Sequence, residues 1–260
     1  MLSFPPANPA PPLREVTAAP DYFARVSEVV LRIESAPDAP TVLELLEQAT
    51  VRAGADVSAF ISFVREDESC ESFRFLLACD PQWCVEYEYQ ARYADHPWLA
   101  YARKHSEAIS GSEITSPGDD PVAAIRLAER YGFRSTFIVP APSSGGLSRI
   151  GVLALGSSTA GYFQGEGIPA LKVATRPLAA GLHEWWVRQV GQELIESARI
   201  AAEDIVLLEL HSKGLGSKDI ARALGSTPSS VHSRFQRLIA RLGVANRTAA
   251  ARLAAEYGLI

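Results

Sequence analysis

Residues 213–247 read KGLGSKDIARALGSTPSSVHSRFQRLIARLGVANR, and this stretch contains the most informative pattern of the chain. Pro228 is placed to begin a helix, and apolar residues then recur at three- and four-residue steps as far as Leu242. A shorter helix over Lys218 to Leu224 precedes it, across a glycine turn at Gly225. Two helices joined by such a turn, the second long and basic, suit the major groove of DNA, which is about 12 Å wide.

The expected DNA contacts lie on the polar sides of these two helices. Hydroxyl and imidazole groups near the start of the second helix are short enough to reach base edges, and arginines further along can neutralise phosphates. The candidate DNA-binding residues are Lys218, Ser229, Ser230, His232, Ser233, Arg234, Arg237 and Arg241. A solvated basic face on a small helical bundle is the alternative interpretation of the same residues.

Two more helices complete a predicted four-helix domain over residues 200–260. One runs from Ala202 to Ser212, and the other runs from Arg247 to Tyr257. From Arg199 onwards, nine basic residues stand against five acidic ones, a charge of +4, whereas the whole chain carries −5. This distribution assigns the anionic partner to the C-terminal domain.

The sequence of this domain resembles the LuxR-type helix-turn-helix. The shared residues are Gly214, Lys218-Asp219-Ile220-Ala221, Leu224-Gly225, Ser230-Val231, Arg241-Leu242-Gly243-Val244 and Asn246-Arg247-Thr248. The resemblance implies a transcription regulator that binds double-stranded DNA as a homodimer, with RNA polymerase as a further candidate partner. The chain departs from the family at Asp204 and Asp219, where glutamate is usual, and at Arg234, where histidine is common.

Residues 21–190 have the pattern of a larger domain in which helices and strands alternate. Helices are predicted over residues 22–33, 41–53, 82–93, 98–105, 122–131 and 168–190, and strands over residues 57–63, 72–77, 135–140 and 149–156. Together they predict an α/β/α sandwich, one sheet covered by helices on both faces. The whole chain is therefore expected to be α+β, with the all-α four-helix domain after the sandwich. Residues 1–20, which contain six prolines, are predicted to be a mobile arm, and residues 191–199 a linker.

Residues 20–190 resemble the autoinducer-binding domain of quorum-sensing regulators, which bind acyl-homoserine lactones in a closed pocket. The resemblance rests on Trp83, Tyr87, Tyr93, Asp95-His96-Pro97, Gly132-Phe133, Pro140 and Gly151-Val152-Leu153-Ala154-Leu155. The implied ligand-binding residues are Trp83, Tyr87, Tyr93, Asp95, His96, Cys79 and Ala154. Trp83 and Tyr87 share one helix face, where an indole N–H can donate to a ligand carbonyl; the alternative is that both are core aromatics.

Several of these positions depart from the family pattern. His96 stands where the family has a carboxylate that accepts the amide N–H of the lactone, and Asp95 lies one residue earlier. Cys79 replaces a tyrosine, and Ala154 replaces a serine or threonine. Losing a buried hydrogen-bond partner costs roughly 1–3 kcal/mol, which is enough to change the preferred ligand. The ligand expected is therefore an acyl-homoserine lactone or a related small amphipathic signal.

Other function classes have little support in the sequence. It contains no nucleophile elbow, phosphate-binding loop or metal-ligand spacing, so we expect no enzyme activity, no cofactor and no metal. Cys70, Cys79 and Cys84 are expected to be buried, reduced thiols. Without an apolar run of about 18–20 residues or a secretory signal, we expect a cytoplasmic protein with no membrane partner. The function expected is a ligand-responsive transcription regulator; the alternatives are a ligand-independent one and an enzyme with a DNA-binding tail.

Overall fold

The computed structural model describes residues 11–65, 71–89, 96–115, 120–142 and 149–260, and the chain divides into two compact units. The first unit runs to Trp185 and contains the sheet, and the second begins at Trp186 and is helical. The elements are α1 (Leu13–Thr17), α2 (Tyr22–Glu34), α3 (Ala39–Ala53), β1 (Val57–Arg65), β2 (Glu71–Ala78), α4 (Gln82–Tyr89), α5 (Pro97–Ala102), β3 (Ile109–Ser110), α6 (Asp120–Arg130), β4 (Ser135–Pro142), β5 (Arg149–Ser157), α7 (Ile168–Ser197), α8 (Ala202–Ser212), α9 (Ser217–Ala223), α10 (Pro228–Leu242) and α11 (Arg247–Glu256).

The first unit is a five-stranded antiparallel sheet with helices on both faces. The strand order is β2-β1-β5-β4-β3, and Ala59 of β1 lies opposite Ala154 of β5. These two residues pack with Trp98 and Leu99 of α5 on one face. Ser58, whose side chain points to the other face, forms a 2.5 Å hydrogen bond with Thr50 of α3. The predicted sandwich is therefore confirmed.

The ends of α3 follow from local chemistry. The Asp38 carboxylate accepts the backbone N–H of Thr41 at 2.9 Å and caps the start of the helix. Gly54 ends the helix with φ of 88°, a left-handed conformation that glycine adopts without steric cost. The helix therefore begins before Thr41, because an upstream aspartate supplies the cap.

The prediction that residues 1–20 form a mobile arm is wrong for its second half. Leu13–Thr17 form a short helix, and Leu13 is buried. Val16 and Ala19 pack against Tyr22 of α2. Apolar residues three positions apart give this segment one apolar side, which is enough to attach it to the first unit.

The predicted linker over residues 191–199 is also wrong, because α7 continues through it to Ser197. Gly191 lies in a close backbone contact, where a Cβ atom would come within 2.7 Å of the Tyr257 carbonyl oxygen. Leu194 packs against the core of the second unit. The glycine therefore permits close packing here and does not end the helix.

Two residues depart from regular geometry along α7 and just after it. Pro177 lies inside α7 and has no N–H to donate to the carbonyl of Val173. Arg199, which follows the helix, has φ of 49° and is the one non-glycine residue with positive φ in the described ranges. This left-handed residue turns the chain towards α8.

The second unit is a four-helix domain built on the C-terminal end of α7. Its core includes Leu207, Phe235, Leu238 and Ala250, each with an exposed fraction of 0 %. The Thr227 side chain caps α10 by accepting the N–H of Ser230 at 3.2 Å. Both α8 and α10 begin and end at the predicted residues. Among the described residues, no helix has the length and hydropathy needed to cross a bilayer.

Candidate nucleic-acid interface and ligand-binding site

The first candidate site is the polar side of α9 and α10. Val231, Phe235 and Leu238 face the core of the second unit, which turns the intervening residues outward. The exposed residues among the predicted DNA contacts are Lys218, Ser229, Ser230, His232, Ser233, Arg237 and Arg241, whereas Arg234 is half-buried. This face begins at the N-terminal end of α10, where backbone N–H groups also point outward.

Two of the arginines predicted to contact phosphates, Arg234 and Arg241, form ion pairs within the domain. The Nε of Arg234 lies 2.9 Å from one carboxylate oxygen of Asp204, and the Nη2 of Arg241 lies 2.7 Å from the other. Arg241 also donates to the Arg199 carbonyl. The Asp204 side chain is 4 % exposed, whereas the arginine side chains are 33 % and 35 % exposed. Both arginines therefore pair with Asp204 inside the domain, and their contact with phosphates stays a prediction.

The environment of Asp204 favours its charged form. Burial opposes ionisation, but the hydrogen bonds from Arg241 and Arg234 and from the Ala201 N–H outweigh it, so the pKa of the carboxyl lies below its usual value. The carboxylate links α8 to two residues of α10 that lie two helical turns apart. Asp204 and Arg234 are separate departures from the family pattern in the sequence, and their pairing was not predicted; their opposite charges were the available signal.

Arg247, the first residue of α11, joins three parts of the domain. Its Nη1 donates to Ser217 Oγ at 2.7 Å, and its Nη2 lies 2.9 Å from His232 Nδ1. The guanidinium carbon lies 4.4 Å from the centre of the Phe235 ring, and His211 contacts the same ring edge-on at 5.4 Å. Burial and the charge of Arg247 lower the pKa of His211.

The described part of the chain holds no group of three or more histidine, cysteine, aspartate or glutamate side chains arranged to bind a metal ion. The exposed face of α10 offers N–H and O–H donors. Such donors suit the acceptor atoms of phosphates and of base edges in the major groove.

The second candidate site is an aromatic cluster on one face of the sheet, made of Trp83, Trp98 and Phe133. The ring centres of Trp83 and Phe133 are 4.9 Å apart, those of Trp98 and Phe133 are 5.5 Å apart, and those of the two tryptophans are 6.0 Å apart. The cluster packs on Ala59 and Ala154. This surface is apolar and suited to an aliphatic chain.

His96 lies beside the aromatic cluster and is 2 % exposed. Its Nδ1 accepts the backbone N–H of Trp98 at 3.2 Å and caps α5, and its ring lies 4.5 Å from that of Trp98. Burial lowers the pKa of His96 to about 3. The imidazole is therefore neutral at physiological pH, and its Nε2 carries the proton.

Several predicted pocket residues meet at the aromatic cluster. Trp83 and Ala154 are buried in its core, and Cys79 packs against it half-buried. Burial raises the pKa of Cys79 to about 12, so its side chain remains a thiol. Tyr93 and Asp95 lie outside the described residues, and of Tyr87 only the position on α4 is described.

Trp98 is the cluster residue that sequence analysis did not select. Its signal was present, because Pro97 marks the start of a helix and the tryptophan follows at once. Trp98 became a candidate only when α5 was placed against the sheet beside Trp83 and His96.

Comparison with protein-family models gives a match over residues 204–254. The matching family is described as "Bacterial regulatory proteins, luxR family". The match begins at Asp204, two residues inside α8, and covers the rest of α8, all of α9 and α10 and most of α11. None of the curated protein sequences compared with this chain matches it significantly.

Three solved structures show the fold. SdiA in complex with octanoyl-rac-glycerol is 16 % identical, with a TM-score of 0.67 over 92 % of this chain and 96 % of that chain. Escherichia coli SdiA in another crystal form is 16 % identical, with a TM-score of 0.68 over 92 % and 99 %. CepR2 from Burkholderia cenocepacia, an N-acylhomoserine lactone dependent LuxR family transcription factor, is 14 % identical, with a TM-score of 0.55 over 64 % and 98 %. Residues 204–254 therefore match the luxR family of bacterial regulatory proteins, and the chain has the fold of SdiA.

Proposed function

We propose that this chain is a ligand-responsive transcription regulator whose first unit binds an acyl-homoserine lactone or a related small amphipathic signal. The observation that carries the proposal is the match of residues 204–254 to the luxR family in a chain with the SdiA fold. CepR2 is described as dependent on N-acylhomoserine lactone, and one SdiA structure contains octanoyl-rac-glycerol. Both ligands join a polar head to an acyl chain.

The chemistry of the aromatic cluster supports a ligand of this kind. Trp83, Trp98 and Phe133 offer an apolar surface to an acyl chain, and Ala154 adds no polar group. The indole of Trp83 can donate to a carbonyl of the head group. His96 is neutral in this environment, so it offers no negative charge to an amide N–H.

The proposed mechanism joins ligand burial to DNA binding. Ligand bound in the first unit stabilises it, and two copies of the chain pair so that two α10 helices read half-sites about one DNA turn apart. The paired regulator then acts on RNA polymerase. It works by binding and not by catalysis, and it works in the cytoplasm, where the bacterial chromosome lies.

A second candidate function is DNA binding that needs no ligand. The observation that favours it is the close packing of the aromatic cluster, in which Trp83 and Phe133 are 4.9 Å apart and Ala154 is 0 % exposed. Side chains can fill a pocket as well as a ligand does.

Thermal unfolding of the full chain tests the two functions against each other. We expect octanoyl-homoserine lactone or octanoyl glycerol, at about 100 times its Kd, to stabilise the chain by about 2.7 kcal/mol. This corresponds to a rise in Tm of roughly 5–10 °C. Octanoate serves as the head-group control. If neither amphiphile changes Tm while the chain still binds duplex DNA, the ligand-independent function replaces the one proposed here.

Variants locate the effect at the aromatic cluster. Trp83→Phe keeps a ring and removes the indole N–H, so we expect it to reduce the ligand-induced rise in Tm. Trp185→Phe is the matched control, because the Trp185 indole donates to the Ala36 carbonyl at 2.9 Å, away from the aromatic cluster. It should lower Tm without ligand and leave the ligand-induced rise unchanged. Equal losses of the rise in both variants would contradict binding at Trp83.

A further inference from the structure

His232 occupies a distinctive position on α10. It lies on the exposed face, four residues after Pro228, and its ring is the one on this face that contacts Arg247 of α11 among the described residues. Its neighbours Ser229 and Ser233 are exposed. His232 is therefore placed to meet DNA while another helix controls its orientation.

The contact with Arg247 determines which ring nitrogen carries the proton. A guanidinium group has only donors, so His232 Nδ1, 2.9 Å from Arg247 Nη2, must accept. A protonated imidazole cannot make this contact, because both of its nitrogens carry protons. In the contact the ring is neutral, and the proton is on Nε2.

Arg247 itself is held firmly. The Asn246 side chain caps α11 by accepting the Ala249 N–H at 2.9 Å, which places Arg247 at the first helical position. The guanidinium lies over the buried Phe235 ring and donates to Ser217. A lysine cannot reproduce this arrangement, since it lacks the planar fork that donates to two acceptors while stacking on a ring.

We propose that Arg247 is a positioning residue that fixes His232 as a neutral Nε2–H donor, and that this donor recognises a hydrogen-bond acceptor of DNA. The acceptor is purine N7 or guanine O6 at a base edge, or a phosphate oxygen. The contact between His232 and Arg247 of α11 is surrounded by Ser217 from α9, Phe235 from α10 and His211 from α8. The inference rests on the proposed DNA-binding function of α10.

Nuclear magnetic resonance of histidine side chains tests the positioning without DNA. The full chain is labelled with 15N-histidine, and His232→Ala identifies the signals of this ring among the five histidines. We expect the Nε2–H tautomer for His232. Arg247→Met, which keeps a long apolar stem over Phe235, should give a mixture of tautomers. Arg252→Met, on the same helix with a side chain that is 66 % exposed, is the control and should change nothing.

Selection of duplexes from a randomised pool tests the recognition. We expect His232→Ala and Arg247→Met to lose discrimination at the same base-pair position, by about tenfold, while preferences at other positions remain. Arg247→Lys keeps the charge, so the same loss in this variant shows that geometry matters more than charge. A 7-deazapurine at that position reproduces the loss if the acceptor is N7. If instead His232→Ala weakens binding to all sequences equally and a methylphosphonate has the same effect, the acceptor is a phosphate oxygen.

The outcomes separate this inference from the proposed function. If the unaltered chain binds no duplex at low salt, the DNA-binding function fails, whereas the tautomer measurement still judges the positioning. If His232 shows the Nδ1–H tautomer, or if Arg247→Met leaves both tautomer and discrimination unchanged in a chain that binds DNA, the inference is overturned.

Discussion

At the scale of single residues, burial controls the protonation of two histidines in the first unit. The pKa of His96 falls to about 3 because of burial, and that of His183 falls to about 4 because of burial and the nearby charge of Arg149. Each ring is neutral in the folded chain at pH values where it is protonated in the unfolded chain. Acid therefore favours unfolding of this unit.

The first prediction concerns this acid sensitivity. Between pH 6.5 and pH 4 the unfolded chain binds protons that the folded His96 does not, so the free energy of unfolding falls as pH falls, by at most about 3 kcal/mol for this group. His96→Asn keeps a side-chain acceptor that can cap α5, and asparagine does not titrate in this range. Urea unfolding monitored by tryptophan fluorescence measures the free energy of unfolding. Over that pH range we expect this free energy to fall by about 2–3 kcal/mol less in His96→Asn than in the unaltered chain.

The control for this prediction is His105→Asn, since His105 is exposed. Its dependence on pH should match that of the unaltered chain. A His96→Asn profile that runs parallel to the unaltered profile from pH 7 to pH 4 would show that the imidazole of His96 does not control acid stability.

At the scale of elements, one carboxylate ties α8 to α10. Arg234 and Arg241 are seven residues apart, two helical turns, and therefore lie on the same side of α10. Asp204 binds both, and Arg241 also holds the carbonyl of Arg199 in the turn before α8. The position of α10 in the second unit is thereby fixed by ion pairs beside its exposed face.

The second prediction concerns the loss of the ion pairs of Asp204. Asp204→Asn takes away the charge that both arginines face, so we expect the second unit to lose about 2–3 kcal/mol of stability at pH 7, less than for a fully buried pair because the arginines are partly exposed. Hydrogen exchange of the α8 and α10 amides measures the change. Asp219→Asn, whose partner Arg222 is exposed, should cost less than about 0.5 kcal/mol. Equal losses of stability in the two variants would mean that the ion pairs of Asp204 stabilise the unit no more than an exposed ion pair does.

The prediction of elements from sequence succeeded where local signals were complete. α10 has Thr227 and Pro228 at its start and Gly243 at its end, and its bounds were predicted from the sequence alone. α7 was predicted too short, because Gly191 resembles a helix end although its role is a close contact with Tyr257. That contact joins residues 66 positions apart in the chain, which no local pattern reveals.

The candidate sites were predicted in a similarly uneven way. The exposed residues of α10 follow from helical periodicity, so the set proposed to face DNA could be chosen without a structure. The ion pairs of Asp204 and the contact between Arg247 and His232 could not be chosen, because each depends on how two helices pack. The same is true of Trp98, which meets Trp83 only across the sheet face.

At the scale of the whole molecule, charge is divided between the two ends of the chain. The last 62 residues carry +4 within a chain of net charge −5. Within the second unit, ion pairs with Asp204, Asp219, Glu209 and Glu256 already engage several of the cations. The number of phosphates neutralised is therefore smaller than the number of basic residues.

The third prediction measures this number. Arg237→Ala removes an exposed cation from α10, so we expect weaker DNA binding and a log–log salt dependence that is shallower by about 0.9 per bound α10 helix. Arg234→Ala is the comparison, because its guanidinium pairs with Asp204. It should lower the stability of the second unit and leave the salt dependence unchanged. An unchanged salt dependence for Arg237→Ala would remove this residue from the DNA contacts.

The proline within α7 affects how that helix opens. The carbonyl of Val173 receives no hydrogen from position 177, so the ladder of amide bonds has a gap one third of the way along a 30-residue helix. Cooperative fraying from the N-terminal end of the helix tends to stop at such a gap. α7 should therefore behave in local unfolding as two segments that meet near Pro177, eight residues before the division between the units at Trp185.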